Sequence, residues 1–131
     1  MDTSDFKALD HLNTEIIILD GKSFELLWVN DSAKAANWIG DSTMFEGKTI
    51  SSLLDDETGA QINQILLKAR KNSGSVTKRD FDIIHYSGLS RTVDLTITFS
   101  DKKNLIFIEA VSIDNLNKII DSTKSFSVKR Y

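Results

Sequence analysis

Glu15-Ile16-Ile17-Ile18-Leu19 and, far along the chain, Leu105-Ile106-Phe107-Ile108 are two stretches whose apolar residues follow one another without a break. Side chains of a strand alternate between its faces, so an unbroken apolar run needs cover on both sides and belongs inside a sheet. If both runs are central, the first and last strands of the domain lie side by side. The last strand then leads directly into an exit segment, Asp114 to Tyr131. Such a layout suits a module that passes strain to a C-terminal neighbour.

Between the two runs the pattern changes repeatedly. Phe6, Leu9 and Leu12 recur at helical spacing behind Ser4 or Asp5 as N-cap, predicting a short helix that covers the outer side of the central strands. The first strand, Glu15 to Asp20, ends at Asp20-Gly21-Lys22-Ser23, a turn sequence. A second strand, Phe24 to Val29, is expected to place Phe24, Leu26 and Trp28 on one face. Asn30-Asp31-Ser32 stops it and caps a short helix, Ala33 to Trp38, which Gly40 ends. A looser region from Asp41 to Leu54 carries one or two helical turns.

Asp55-Asp56-Glu57 then opens a longer helix with Ile62, Ile65, Leu66 and Ala69 on one stripe. Lys68, Arg70 and Lys71 complement the dipole in its last turn, and Gly74 fits the left-handed position after it. Two alternating strands follow, about Ser75–Tyr86 and Ser90–Phe99, joined at Ser87-Gly88. Phe81, Ile83 and His85 share the apolar face of the first, with Val93, Leu95, Ile97 and Phe99 on that of the second. Lys78, Asp80, Asp82, Thr92, Asp94, Thr96 and Thr98 form the solvated side. Asp101-Lys102-Lys103-Asn104 turns into the last strand, Leu105 to Ile113.

The expected fold class is α+β: five antiparallel strands in the order 2-1-5-4-3, helices on one face and the N-terminal helix on the other. The expected organisation is a helical cap over 1–13, the domain proper over 14–113 and an output helix and tail over 114–131.

Composition narrows the function. The chain has 131 residues, 40% hydrophobic and 27% charged, which fits one globular domain. A net charge of −3 argues against a nucleic-acid partner, which needs a concentrated basic face. Zero cysteines remove thiolate metal sites and cysteine nucleophiles. Zero prolines leave the turns to Gly, Asn, Asp and Ser. The acidic start has no apolar signal region, and no apolar run approaches the ~20 residues that span a bilayer, so a cytoplasmic protein is expected.

Trp28-Val29-Asn30 ending a strand, with Asp31-Ser32-Ala33 opening a helix, resembles the PAS domain, as does Phe45-Glu46-Gly47-Lys48-Thr49-Ile50 followed by Leu53-Leu54. Ile113-Asp114-Asn115 stands where many PAS domains carry an aspartate that closes the last strand and starts the output helix. The resemblance covers about residues 6 to 120. Leu9-Asp10-His11-Leu12-Asn13 before the first strand, and Val111-Ser112-Ile113-Asp114-Asn115 after the last, are similar to the N-terminal sensor domain of nitrogen-regulation histidine kinases. The resemblance implies a cytoplasmic, dimeric sensor in a two-component system, with a downstream kinase or response regulator as partner. Phe6, Leu9 and Leu12 would form the dimer cap, and Ile113, Asp114 and Asn115 the signal exit. These residues carry no phospho-acceptor His-Glu motif and no ATP-binding glycine boxes, so no enzyme activity is assigned to them. They are expected to be a truncated product or a stand-alone module.

Candidate chemistry is sparse. Asp55, Asp56 and Glu57 read as a helix cap and dipole complement before they read as catalytic acids. Asp80, Asp82 and Asp94 read as a solvated sheet face before a cation site. No catalytic or metal-binding residue is assigned. Trp28, Trp38, Phe45, Phe81 and His85 are the candidate lining of a sheet–helix cavity, with ordinary core packing as the plainer reading. Without cysteine the flavin adduct and the thioester chromophore of PAS photosensors have no attachment point, and the long helix has no haem-ligating histidine, so no cofactor is expected. The competing reading is a small-ligand-binding or enzymatic α+β domain that uses this cavity.

Overall fold

The computed structural model describes residue 6, residues 14–36 and residues 47–113. Five strands form one antiparallel sheet: β1 (Glu15–Asp20), β2 (Leu26–Val29), β3 (Ser75–Ile84), β4 (Ser90–Ser100) and β5 (Leu105–Ser112). Their order is β2-β1-β5-β4-β3, so the two all-apolar strands sit side by side. The register pairs Glu15 with Ala110 and Asp20 with Leu105. Helix α1 (Asp31–Ala35), a 3₁₀ turn (Ile50–Leu53) and helix α2 (Asp56–Asn72) lie between β2 and β3 in sequence.

Two apolar clusters flank the sheet. Ile17 and Leu19 of β1 join Ile62, Leu66 and Ala69 of α2 and the inward residues of β4 and β5 in the larger cluster. Ile16 and Ile18 face the other way, packed with Leu105 and with Phe6, Leu27, Trp28 and Phe107. Burying each Ile or Leu side chain contributes about 1.5–3 kcal/mol, so β1 stabilises the fold from both faces. Ile16 is 5% and Ile18 0% exposed within the one chain.

Two bulges displace side chains from simple alternation. In β2 the register slips between Ile18 and Leu19, so Trp28 pairs with Ile18 while Leu26 pairs with Leu19. Leu27 is the extra residue, and Trp28 therefore shares the outer cluster while Leu26 stays in the larger one. Phe24 lies outside the strand, in a left-handed conformation at φ 65°. Between Lys78 and Phe81 a second bulge opposes Arg79 and Asp80 to Asp94 alone, with Asp80 left-handed at φ 54°. Lys78, paired with buried Leu95, therefore falls on the helix side and not on the solvated side.

Asp55 caps α2 by accepting from the Thr58 amide at 2.8 Å, and Asp56 and Glu57 occupy the first turn. At the other end Ser73, not Gly74, takes the left-handed position at φ 48°, and the Gly74 amide reaches back to the Ala69 carbonyl at 3.2 Å. Arg70 ties this end to the β1–β2 turn. It donates to the Lys22 carbonyl at 3.0 Å and stacks 4.6 Å from the centre of the Phe24 ring. Gly21 is required in that turn, because a Cβ there would lie 2.6 Å from the Asn104 side chain. No helix among the described residues is long and apolar enough to cross a membrane.

Candidate functional site

The polar groups buried under the sheet gather at one end, where β1 begins, β4 begins, and β2 runs into α1. Asn30 organises the corner. Its side-chain oxygen accepts from the Ile16 amide at 2.9 Å and from the Ala33 amide at 3.0 Å. Its Nδ2 donates to the Thr14 carbonyl at 2.8 Å, and its own amide donates to the Ile16 carbonyl at 3.0 Å. One planar amide thus extends the β1–β2 ladder and caps α1 at once. Only a residue with both an acceptor and a donor on a short arm can do this.

Beside that corner, Arg91 of β4 reaches across β5. Alternation from Val93 and Leu95 puts Arg91 on the helix side, and alternation from Ile17 and Leu19 puts Glu15 there too. One guanidinium nitrogen of Arg91 donates to the Glu15 carboxylate, and the other donates at 3.1 Å to the carbonyl of Ala36, which ends α1. The two side chains are 17% and 8% exposed, so the pair lies largely out of water. A charge-assisted bond in this setting is stronger than on the surface, and its geometry is correspondingly constrained.

His85 occupies the neighbouring position on the rim, 6% exposed and paired with Leu54 across an isolated bridge. The Ser87 amide donates to its Nδ1 at 3.2 Å, with the Ser87 hydroxyl 2.8 Å away. A ring nitrogen that accepts from an amide carries no proton, so the neutral imidazole holds its proton on Nε2. That Nε2 is buried and has no hydrogen-bond partner among the described residues.

The candidate residues divide on this geometry. Trp28 is corrected: the β2 bulge turns it away from the helices, where its ring meets Phe6 at 5.5 Å between centroids. Phe81 packs on the helix side against the larger cluster and borders a groove between α2 and β3. His85 is on the helix side but does not line that groove. Ile113 follows β5 directly and is half-buried. Trp38, Phe45, Leu9, Leu12, Asp114 and Asn115 lie outside the described residues. Two of the hairpin acids are engaged in the sheet: Asp82 accepts from the Thr92 hydroxyl at 2.7 Å and Asp94 from the Asp80 amide at 3.2 Å. Among the described residues no three ligating side chains are grouped as a metal would need.

Sequence reasoning missed Glu15 and Arg91. The signal was there: Glu15 is the one charge at the head of an apolar run, and Arg91 holds a core-side position in an alternating strand.

No protein-family model matches the chain, and no curated protein matches it in sequence. Solved structures do. The PAS domain of nitrogen regulation protein NR(II) from Vibrio parahaemolyticus superposes with a TM-score of 0.64 at 14% identity, over 85% of this chain and 99% of that one. A domain of a sensory box sensor histidine kinase/response regulator from Geobacter sulfurreducens gives 0.63 at 19% identity, over 82% and 91%. The PAS domain of the quorum-sensing receptor RpfR from Cronobacter turicensis, solved in complex with BDSF, gives 0.61 at 15% identity, over 79% and 96%. The chain has the PAS fold, with the five-stranded order 2-1-5-4-3 that the sequence led us to expect.

Proposed function

We propose that this domain is a non-catalytic sensory and interaction module, the regulatory domain of a cytoplasmic nitrogen-regulation histidine kinase. It works as a homodimer through Phe6, Leu9, Leu12 and the outer sheet face, and relays its signal through Ile113, Asp114 and Asn115. One observation carries the reading: β5, the strand that leads to the exit, is held between β1 and β4, and the Glu15–Arg91 pair bridges those two strands across it. A change in packing under the sheet therefore bears on the exit strand first. The outer face supports a dimer, since Trp28, Leu27 and Phe107 are only half-buried there and Val111 is 42% exposed. The fold shared with the Vibrio NR(II) domain and the Geobacter kinase domain supports the kinase assignment.

Sedimentation velocity of the wild type and of Leu9→Glu tests the proposal. A wild-type dimer that Leu9→Glu splits is the expected result. A strict monomer at high micromolar concentration overturns it.

A second reading, a small-ligand-binding domain using the sheet–helix cavity, has the buried Nε2 of His85 behind it, which has no partner among the described residues. A thermal-shift screen with a metabolite panel separates the two. A hit that His85→Phe abolishes favours the ligand reading.

A further inference from the structure

The groove between α2 and β3 has a volume of about 560 Å³, and its strand side is bordered by residues 78 to 82 in succession. The bulge at Arg79 and Asp80 interrupts the alternation of β3, so consecutive residues border the groove beside the strand's outer edge. That edge is the open one, because β3 ends the sheet order. The chain already pairs with its near end. Leu54 bridges His85 in antiparallel sense, the Asp55 amide donates to the Ile84 carbonyl at 2.8 Å, and the Tyr86 amide donates to the Leu53 carbonyl at 3.0 Å. At Asp55 the backbone leaves the edge to start α2, and among the described residues no strand pairs with the rest of the edge.

The groove walls carry charge in a fixed order. Helix α2 runs back along β3, so Glu57 lies toward Ile84 while Lys68 lies toward Lys78 and Arg79. Phe81 and Ile65 make the middle apolar, and Asp80 lines the groove between Phe81 and the basic end. The β3 bulge puts Lys78 on the helix side with Phe81. The side chains of Glu57, Lys68, Lys78 and Arg79 have no ion-pair or hydrogen-bond partner among the described residues.

We infer that this groove is a docking slot for an extended peptide segment of a partner protein, added antiparallel to β3 in line with Leu53–Asp55. Main-chain bonds to a strand edge supply affinity in such slots, and the flanking side chains supply selectivity. From Glu57 to Lys68 the helix rises roughly 17 Å, which matches five or six residues of extended peptide. Antiparallel addition places the peptide's N-terminal residues beside Glu57 and Asp82 and its C-terminal residues beside Lys68, Lys78 and Arg79. The segment that fits is therefore basic first, apolar in the middle and acidic last. Charge placed in this order also disfavours the opposite polarity, which guards the exposed edge against indiscriminate pairing.

Fluorescence anisotropy on the full chain tests this with two labelled peptides of equal composition. One has lysines in its N-terminal third, alternating valine and threonine in its centre and glutamates in its C-terminal third. The other has the lysine and glutamate thirds exchanged. The first is expected to bind about tenfold more tightly, a difference of about 1.4 kcal/mol, and to slow amide exchange at residues 79–83. The exposed double change Lys68→Glu with Lys78→Glu, confirmed folded by circular dichroism, should remove the preference. Equal binding of the two peptides, binding of neither, a preference for the second, or a preference that survives the double change overturns the proposal.

Discussion

Glu15, the first residue of β1, and Arg91, near the start of β4, are joined by an ion pair although β5 lies between their strands. Removing one partner strands the other charge in a largely dry environment. Arg91→Ala or Glu15→Ala is expected to cost about 3 kcal/mol, whereas Glu15→Leu combined with Arg91→Met should cost clearly less than either. Urea unfolding of the singles and the double measures this. Additive losses would mean that the two side chains contribute independently and that the bridge is not what holds them.

Asn30 is fully buried, and its side chain serves two amides and one carbonyl. Asn30→Ala should destabilise the domain by about 2–3 kcal/mol, with hydrogen-exchange protection lost first at Ile16 and Ala33. Asn30→Asp keeps both acceptor bonds and loses the donor to Thr14, so it should fall between the wild type and the alanine variant.

Ser73 holds the left-handed position that closes α2, and Gly74 follows it. Ser73→Gly removes the Cβ from an unfavourable conformation and should raise stability by about 0.5–1 kcal/mol, seen as a higher melting temperature. Gly74→Ala, where a Cβ meets nothing nearer than 3.6 Å, should change little by comparison.

Asp20 accepts from the Ser23 and Lys22 amides through one oxygen, and these bonds, Ser23 first, hold its carboxyl below the ordinary 3.8. A carboxyl lowered on folding stabilises the native state fully above its unfolded value and loses that effect as pH falls through its folded value. Wild type should therefore exceed Asp20→Asn in stability at about pH 5.5, with the gap narrowing toward about pH 2.5. A gap that stays constant with pH would assign the effect to shape alone.

Strand order was legible because Ile16–Leu19 and Ile106–Ile108 are apolar at every position, and only central strands bury both faces. The two bulges were harder to see, since a period of two gives no warning where a residue has been added. Yet Val76 and Phe81 both pack on the helix side and stand five apart, an odd spacing that alternation cannot satisfy. Leu26 and Val29, three apart and both in the larger cluster, carry the same mark. Trp28 was misplaced for this reason alone. The ion pair was overlooked because each charge, taken singly, looks like a strand end, and only the topology brings Glu15 within reach of Arg91.

The pairing of Glu15 with Ala110 also governs the order of events during synthesis. At ribosomal rates of about 5–20 residues per second, β1 emerges on the order of ten seconds before the strand that completes its second edge. During that interval a segment with isoleucines on both faces has β2 as its one strand neighbour in the sheet. Contacts this distant in sequence slow folding, because the loop must close before the pairing rewards it. The nascent chain thus passes through a stage in which its most aggregation-prone strand waits for its last one, and chaperone dependence in the cell should track the delay between them.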